Sequence, residues 1–481
     1  GRRPWILRVL LMEERVKLKS ATHSNKPSGL KASARYQAME TLSLVYKGEA
    51  FVNQEVNQVL SHSRVGDSDR DLYTRLVYGS LQFHWTLQEL LKQVLKRYKR
   101  TKKWLLALLE LSAYQHYYLD AVPDHAIVDE AVRIAKKRGN QTLGRFTNGT
   151  LRNLFRTYPT IEDFISQQAS DQAYVLSLET SLPVEWVNYF AQRFGMETTQ
   201  QIAQAMVEPA QVNVRISRDY WQDQDKISQI LADQGFPNQS SQIAPHQLKV
   251  KSGNPAQSEL FEKGVITIQD EAASLAVDIL NPKAGDRVLD ACAAPGGKTA
   301  QLAEYVGETG QVLAFDIAEN KLPLIADNVK RMHVDSQVSI QQGDASQLGT
   351  KFPAESFDGI LVDAPCSGVG LFRRKPDTKL NKDFQDLKNL QKIQLEILNN
   401  VSPLLKKAGR LVYSTCTITA EENWQVVEEF LATHPDFALK AIGPEWQKVL
   451  KPSLINAACL EILPHHFNSD GFFVALLEKQ S

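Results

Sequence analysis

Cysteine is scarce and scattered. The four in this 481-residue chain (Cys292, Cys366, Cys416 and Cys459) form no C-x-x-C pair and show no Cys/His metal spacing. That excludes a disulfide framework and a zinc site, so no metal is expected, and it fits a reducing, cytoplasmic setting. An excess of one charge is missing too: 55 Lys and Arg balance 55 Asp and Glu. The total therefore neither favours nor opposes a polyanionic partner, and local charge must decide. No apolar run approaches the ~18 residues of a membrane span, so no membrane partner is expected. The opening "GRRPWILRVLLMEERVKLK" imitates a signal peptide with its Arg pair and short apolar patch. Arg8 interrupts the patch, and a charged run stands where small cleavage-site residues belong. Residues 1–31 are expected to form a disordered leader without an export signal.

Two nucleotide-binding signatures are absent as well. "DACAAPGGKT" (290–299) ends like a P-loop, but the Gly that must open that motif is Cys292 here. The chain has no G-x-G-x-x-G dinucleotide turn. A Gly-rich turn carrying a lysine thus needs another explanation.

From Ala32 to about Tyr158 the pattern is helical throughout, with apolar residues at three- and four-residue spacing in "RYQAMETLSLVYKG" and "DLYTRLVYGSLQFHWTLQELLKQVL". "PDHAIVDEAVRIAKKRG" opens with Pro123 and Asp124 and stops near Gly139, as helices do. An all-helical domain is expected over 32–165. "LKRYKRTKK" (95–103) is strongly basic, and 133–156 contains no acid. Solvated helix faces account for such runs as well as a phosphate-tracking surface does. Tyr98 and Phe146 offer stacking faces, although isolated aromatics are more often core. The stretch around Val122-Pro123, Glu130-Ala131 and "FTNGTL" (146–151) resembles the NusB family of helical domains. The resemblance implies RNA binding.

Residues 166–255 read as a small α+β linker domain, with the amphipathic helix "LPVEWVNYFAQRFG" and the alternating "AQVNVRIS". From about 256 to 481 strands and helices alternate, which implies a doubly wound α/β sheet with ligands outside the carboxyl ends of the strands. Four strand ends there carry acids: Asp290, Asp316, Asp344 and Asp363. One strand-end Asp is often a helix cap; four in register are harder to attribute to capping. Two cysteines join them, Cys366 after Asp363-Ala364-Pro365 and Cys416 at the end of "YSTC". Cys459 reads as a small buried hydrophobe, and Cys292 as packing within its turn.

Thiols and acids on one sheet edge suit methylation at ring carbon 5 of cytosine, a poor nucleophile by itself. Addition of a thiolate to ring carbon 6 makes carbon 5 enamine-like, and an acid near ring nitrogen 3 stabilises the developing charge. Lys298, Arg373, Arg374 and Lys375 offer the cationic setting that raises a thiolate fraction.

"DACAAPGGKT", "DAPCSG" and "YSTCT", together with the NusB-like start, resemble the RsmB/Sun (Fmu) family of bacterial 16S rRNA (cytosine-5) methyltransferases. The resemblance implies a Rossmann-like class I methyltransferase sheet, S-adenosyl-L-methionine as cofactor, and 16S rRNA or a small-subunit assembly intermediate as partner. It implies that Cys292, Ala293, Ala294, Pro295, Gly296, Gly297 and Lys298 line the methionine part of the cofactor. Asp316 would hold the ribose hydroxyls, Asp344 would sit by the adenine amine, and Asp363 would face cofactor and base. Cys416 would be the nucleophile and Cys366 would assist product release. Lys298 is left with two roles, touching the cofactor or tuning Cys416. The chain departs from the family at "NVRIS" (213–217), where Arg215 is retained without the following Asn. A monomer is the default. The same chemistry on transfer RNA is one alternative, and a catalytically inactive RNA-binding assembly factor is another. The presence of Lys298, Asp363, Cys366 and Cys416 argues against an inactive factor.

Overall fold

Alternating Val, Ile and Thr runs are missing before residue 210, and among the described residues the computed structural model places its first strand after that point. The structure describes residues 29–120, 122–168, 171–380 and 384–480. Most of the expected leader, residues 1–28, lies outside them; Gly29–Ala32 forms a 3-10 turn that leads into a helix.

The chain divides into two compact units. The first holds residues 29–209 and returns for 372–380. Helix Lys103–Tyr118 is apolar on nearly every face and is buried over most of its length, as such a helix must be. Its one buried acid, Glu110, accepts hydrogen bonds from Tyr46 Oη (2.6 Å) and from His84 Nδ1 (2.7 Å). Helix Asp124–Arg138 begins after Pro123 and ends at Gly139. Asn140 then caps helix Gln141–Thr157, accepting from the Leu143 N–H at 3.0 Å.

The second unit contains two sheets among its described residues. Strands β1 (Val212–Ile216), β2 (Asn238–Ser240), β3 (Gln247–Val250) and β4 (Ile266–Ile268) form an antiparallel sheet in the order β2-β3-β1-β4. The larger sheet comprises β5 (Arg287–Asp290), β6 (Gln311–Asp316), β7 (Val338–Gln342), β8 (Phe357–Asp363), β9 (Leu405–Thr415), β10 (Phe437–Leu439), β11 (Leu454–Asn456), β12 (Cys459–Ile462) and β13 (Phe472–Lys479). Its parallel part runs β7-β6-β5-β8-β9, and antiparallel β13, β12 and β11 extend it beyond β9. From β5 the chain winds outward through β6 and β7, then restarts on the other side with β8. That reversal opens a crevice at the carboxyl ends of β5 and β8. This is the doubly wound sheet expected from the alternation of elements.

The expected linker, residues 166–255, does not stand by itself. Its helices Gln172–Thr180, Val184–Phe194 and Met196–Val207 belong to the helical unit because their apolar faces are buried there. Trp186, for example, is buried and meets the Phe372 ring edge-on with centroids 5.8 Å apart. Its strands belong to the second unit, where Arg215 of β1 pairs with Glu304 on helix Gly297–Val306. Periodicity reports which faces are apolar, not what covers them.

The returning segment is anchored by one buried lysine, whose pKa burial lowers to about 7. Lys379 Nζ donates to the Gln82 carbonyl at 2.9 Å and to the Ser181 carbonyl at 3.4 Å. Those carbonyls end helices Arg70–Gln82 and Gln172–Thr180, where the helix dipoles favour positive charge. Lys379→Met is therefore expected to destabilise the helical unit by about 1–3 kcal/mol, the usual cost of leaving buried carbonyls without their donor. The measurement is a lower denaturant midpoint at unchanged slope.

Candidate active site

A cavity of about 210 Å³ opens at the crevice between β5 and β8. Asp290, Cys292, Ala293, Ala294, Pro295, Gly297, Lys298 and Asp363 line it, joined by Ile268, Gln269 and Ala273. Gly296, Asp316, Asp344, Cys366 and Cys416 lie outside that lining.

The turn that follows β5 explains its composition. Gly296 has φ +107°, and a Cβ there would come within 2.8 Å of Ile325 Cα, so only glycine fits. The turn is fastened to neighbouring strands: Ala293 N–H donates to the Phe315 carbonyl (2.8 Å), and Ala294 N–H to Asp316 Oδ2 (3.1 Å). Asn328 Nδ2 donates to the Pro295 carbonyl at 2.9 Å. Helix Gly297–Val306 starts at the cavity, and the early N–H groups of a helix attract anions.

Asp316 thus braces the turn with one oxygen and accepts from the Ala318 N–H with the other, at 3.0 Å. Asp344 accepts from Ser346 N–H (2.9 Å) and Ser346 Oγ (2.7 Å), a cap for the 3-10 turn Ala345–Thr350. Both acids keep further lone pairs for a ligand.

Asp290 is buried, with Oδ2 accepting from Thr299 Oγ1 at 2.7 Å and Oδ1 left without a partner. Burial pushes its pKa up to about 7 against the pull of the Thr299 bond. Burial, and then the surrounding carboxylates, hold the Cys292 thiol well above the ordinary thiol range. That thiol stays protonated.

Lys298 Nζ donates to Asp363 Oδ2 at 2.7 Å and lies 5.3 Å from the Phe472 ring centre. Burial opposes its charge most strongly, but the Asp363 carboxylate, with Cys416 and Asp290, outweighs burial and the lysine pKa is raised. Asp363 Oδ1 accepts from Ser414 Oγ at 2.8 Å, across the β8–β9 register in which Asp363 faces Ser414. Two residues beyond Ser414 stands Cys416, three beyond Asp363 stands Cys366, and their Sγ atoms are 3.1 Å apart. The hydrogen bond to Cys416 comes first, and burial second, in raising the Cys366 thiol well above its ordinary pKa. Cys416 also contributes to the raised pKa of Lys298, so lysine, carboxylate and thiol act on one another. Arg373, Arg374 and Lys375, expected to supply cationic surroundings, sit on the segment that belongs to the helical unit. Lys298 is the cation paired to Asp363. Cys459 lies in the core on β12, where burial raises its thiol to about 12.

Other supporting residues carry no recognisable motif. Glu422, fully buried, accepts from Ser367 N–H (2.7 Å), Ser367 Oγ (2.6 Å) and Thr419 Oγ1 (2.6 Å), which fixes the loop after Cys366. Gln269 Oε1 accepts from Arg215 Nε at 2.7 Å and its Nε2 donates to Gln301 at 2.8 Å, which sets its amide on the cavity wall. Only the fold reveals these partners; the "NVRIS" stretch, which holds Arg215, marked one of them. Gly370 and Gly471 cross so closely that a Cβ on Gly370 would fall 2.2 Å from the Gly471 carbonyl oxygen. Among the described residues no cluster of His, Cys, Asp and Glu could hold a metal ion, and no helix is long and apolar enough to cross a membrane.

Asp290 yields a pH prediction. Its folded pKa lies above the unfolded value of about 4, so its stabilising contribution is complete below pH ~4 and is lost as pH rises to about 7. Asp290→Asn keeps an acceptor for Thr299 without the buried charge. Its melting temperature is expected to gain on the parent protein between about pH 5 and about pH 7.5. A pH-independent difference would mean that Asp290 is ionised throughout.

Comparison with known proteins matches residues 277–478 to the 16S rRNA methyltransferase RsmB/F family and residues 32–156 to the NusB family. A probable ribosomal RNA small subunit methyltransferase B of Bacillus subtilis is 37% identical over 458 residues, 94% of this chain and 99% of that protein. The crystal structure of PH0851 superposes with a TM-score of 0.78 at 23% identity, covering 95% of this chain and 100% of the other. A methyltransferase homolog protein from Pyrococcus horikoshii is 26% identical with a TM-score of 0.54, over 64% of this chain and 99% of its own.

Proposed function

The chain belongs to the family of ribosomal RNA small subunit methyltransferases B, and from that premise we propose that it methylates ring carbon 5 of a cytosine in 16S rRNA, with S-adenosyl-L-methionine as donor and Cys416 as nucleophile. The observation that carries this reading is the pair of thiols 3.1 Å apart at the ends of the loop and strand that hold Asp363 and its Ser414 partner.

The cavity fits the donor. Asp290 Oδ1, buried and without a partner, suits an α-ammonium group, and the start of helix Gly297–Val306 suits a carboxylate. Asp316 and Asp344 stand at the next two strand ends with lone pairs for the ribose hydroxyls and the adenine amine. When bound, S-adenosyl-L-methionine supplies an electrophilic methyl group.

The chain's own residues do the rest. Cys416 adds as a thiolate to ring carbon 6, and the carbon 5–carbon 6 electron pair becomes nucleophilic at carbon 5. Lys298 stabilises that thiolate and keeps the Asp363 carboxyl oriented. Asp363 hydrogen-bonds or protonates ring nitrogen 3, where negative charge would otherwise collect. Once carbon 5 carries the methyl group, loss of its proton to a base and return of the nitrogen 3 proton to Asp363 restore the double bond, break the sulfur–carbon bond and release Cys416 as a thiolate. Cys366, kept protonated, hydrogen-bonds to the departing sulfur and eases its release. A P-loop hydrolase or a hydride-transfer enzyme would leave the two thiols without work.

Cys416→Ala is expected to abolish methyl transfer to unmodified 16S rRNA while the protein still binds that RNA; normal turnover would sink the nucleophile assignment. Cys366→Ala should accumulate a protein–RNA adduct that survives denaturing electrophoresis. Asp363→Asn should lower kcat by ~10²–10⁴, the range of a lost acid–base group. Bisulfite sequencing of the product tests the ring position; methylation elsewhere on the base would refute this mechanism.

A further inference from the structure

The longest acid-free stretch of the helical unit has a face that no packing explains. Helix Gln141–Thr157 buries Thr147, Thr150, Leu151 and Leu154 and leaves Arg145, Gly149, Arg152 and Arg156 exposed. Their spacing of four, three and four residues makes them one stripe along the helix. Phe146 lies beside it, 41% exposed. Among the described residues no carboxylate pairs with the three arginines. Arg152 Nε donates to Asn148 at 2.9 Å, and Arg156 donates to Asn153 at 3.0 Å. These amides brace the guanidinium groups and leave their charge uncompensated.

Gly149 is the second, independent sign. A mid-helix glycine destabilises its helix relative to alanine, and a glycine retained there has a packing or functional reason. Other helical glycines of this unit have packing reasons: a Cβ at Gly79 would strike the Tyr114 ring at 2.1 Å, and one at Gly144 would strike Lys136 Cγ at 2.5 Å. A Cβ at Gly149 would meet nothing within 4 Å. Bare backbone between Arg145 and Arg152 therefore keeps a shallow, smooth floor for something that comes close.

The surface continues past the helix start. Lys136 lies over Gly144, one residue before Arg145, and the Trp104 ring lies at Gly139 with Arg138 5.8 Å from its centre. Lys102 and Lys103, both exposed, immediately precede that tryptophan.

We propose that this stripe, centred on Gly149, holds the sugar–phosphate backbone of the substrate RNA, with a base unstacked onto Phe146. Arginine guanidinium groups suit phosphate oxygens, an open aromatic face suits a nucleobase, and bare helix backbone admits a ribose. The proposal rests on the reading of the chain as an rRNA methyltransferase and assigns where the helical unit grips its substrate.

The test uses the full chain and unmodified 16S rRNA transcribed in vitro, with binding measured at several KCl concentrations. Replacing Arg145 and Arg152 together by Ala should weaken binding about tenfold at low salt and make the log–log salt slope shallower by about 1.4–1.8, the worth of two phosphate contacts. Melting temperature should not change. Gly149→Ala should raise the melting temperature and still weaken RNA binding about threefold, because its Cβ occupies the floor. Unchanged affinity and slope in either variant would overturn the proposal. Equal competition by polyglutamate at matched charge would also overturn it, by showing an anion surface indifferent to RNA. Binding is read without methyl transfer, so the two readings fail separately. Stripe-dependent binding without methylation would refute the cytosine chemistry alone, and methylation with stripe-independent binding would refute this surface alone.

Discussion

The ion pair between Lys298 and Asp363 is the contact on which the rest of the site depends. It joins the helix that follows β5 to the end of β8, across the crevice where the strand order reverses. Both side chains are partly buried, and each charge offsets the cost of burying the other. Asp363 spends its second oxygen on Ser414 and so brings β9 into the same register. The two thiols follow from that alignment, because each sits a short, fixed distance in sequence beyond the paired residues. Parallel strands place chemistry in this way cheaply: register does the positioning, and the loops need only present what register has brought together.

The support around this centre is a set of buried polar groups that satisfy one another. Glu422 gathers three donors from the loops that carry the thiols, while Gln269 passes its amide between Arg215 and Gln301. Such networks rigidify a site when every member is partnered. Asp290 Oδ1 and Gln394 Oε1 are buried acceptors without a partner, and the Asp290 carboxyl lines the cavity.

Much of this was legible before any fold was known, and the reason is spacing. Strand ends that carry Asp290, Asp316 and Asp363, and turns such as "DACAAPGGKT", are local, so the alternation of strand and helix places them on one edge. Glu422 could not be found that way. Its partners Ser367 and Gln394 lie 55 and 28 residues away, and an acid near a helix start looks like any cap. The two halves of the expected linker part for a related reason. Residues 172–207 and 212–250 are adjacent in sequence, but their apolar faces are covered by different cores.

The return of residues 372–380 to the helical unit has a consequence for how this protein can be taken apart or recombined. Phe372 and Lys379 are structural members of a unit from which they are separated by some 160 residues of chain. A cut near residue 209 would free a helical fragment that lacks them both and a catalytic fragment that carries them unpaired. The two units are therefore not beads on a string. Insertion, swapping or loss of the helical module in a lineage would have to carry along a short piece of its neighbour, which ties the inheritance of one to the other.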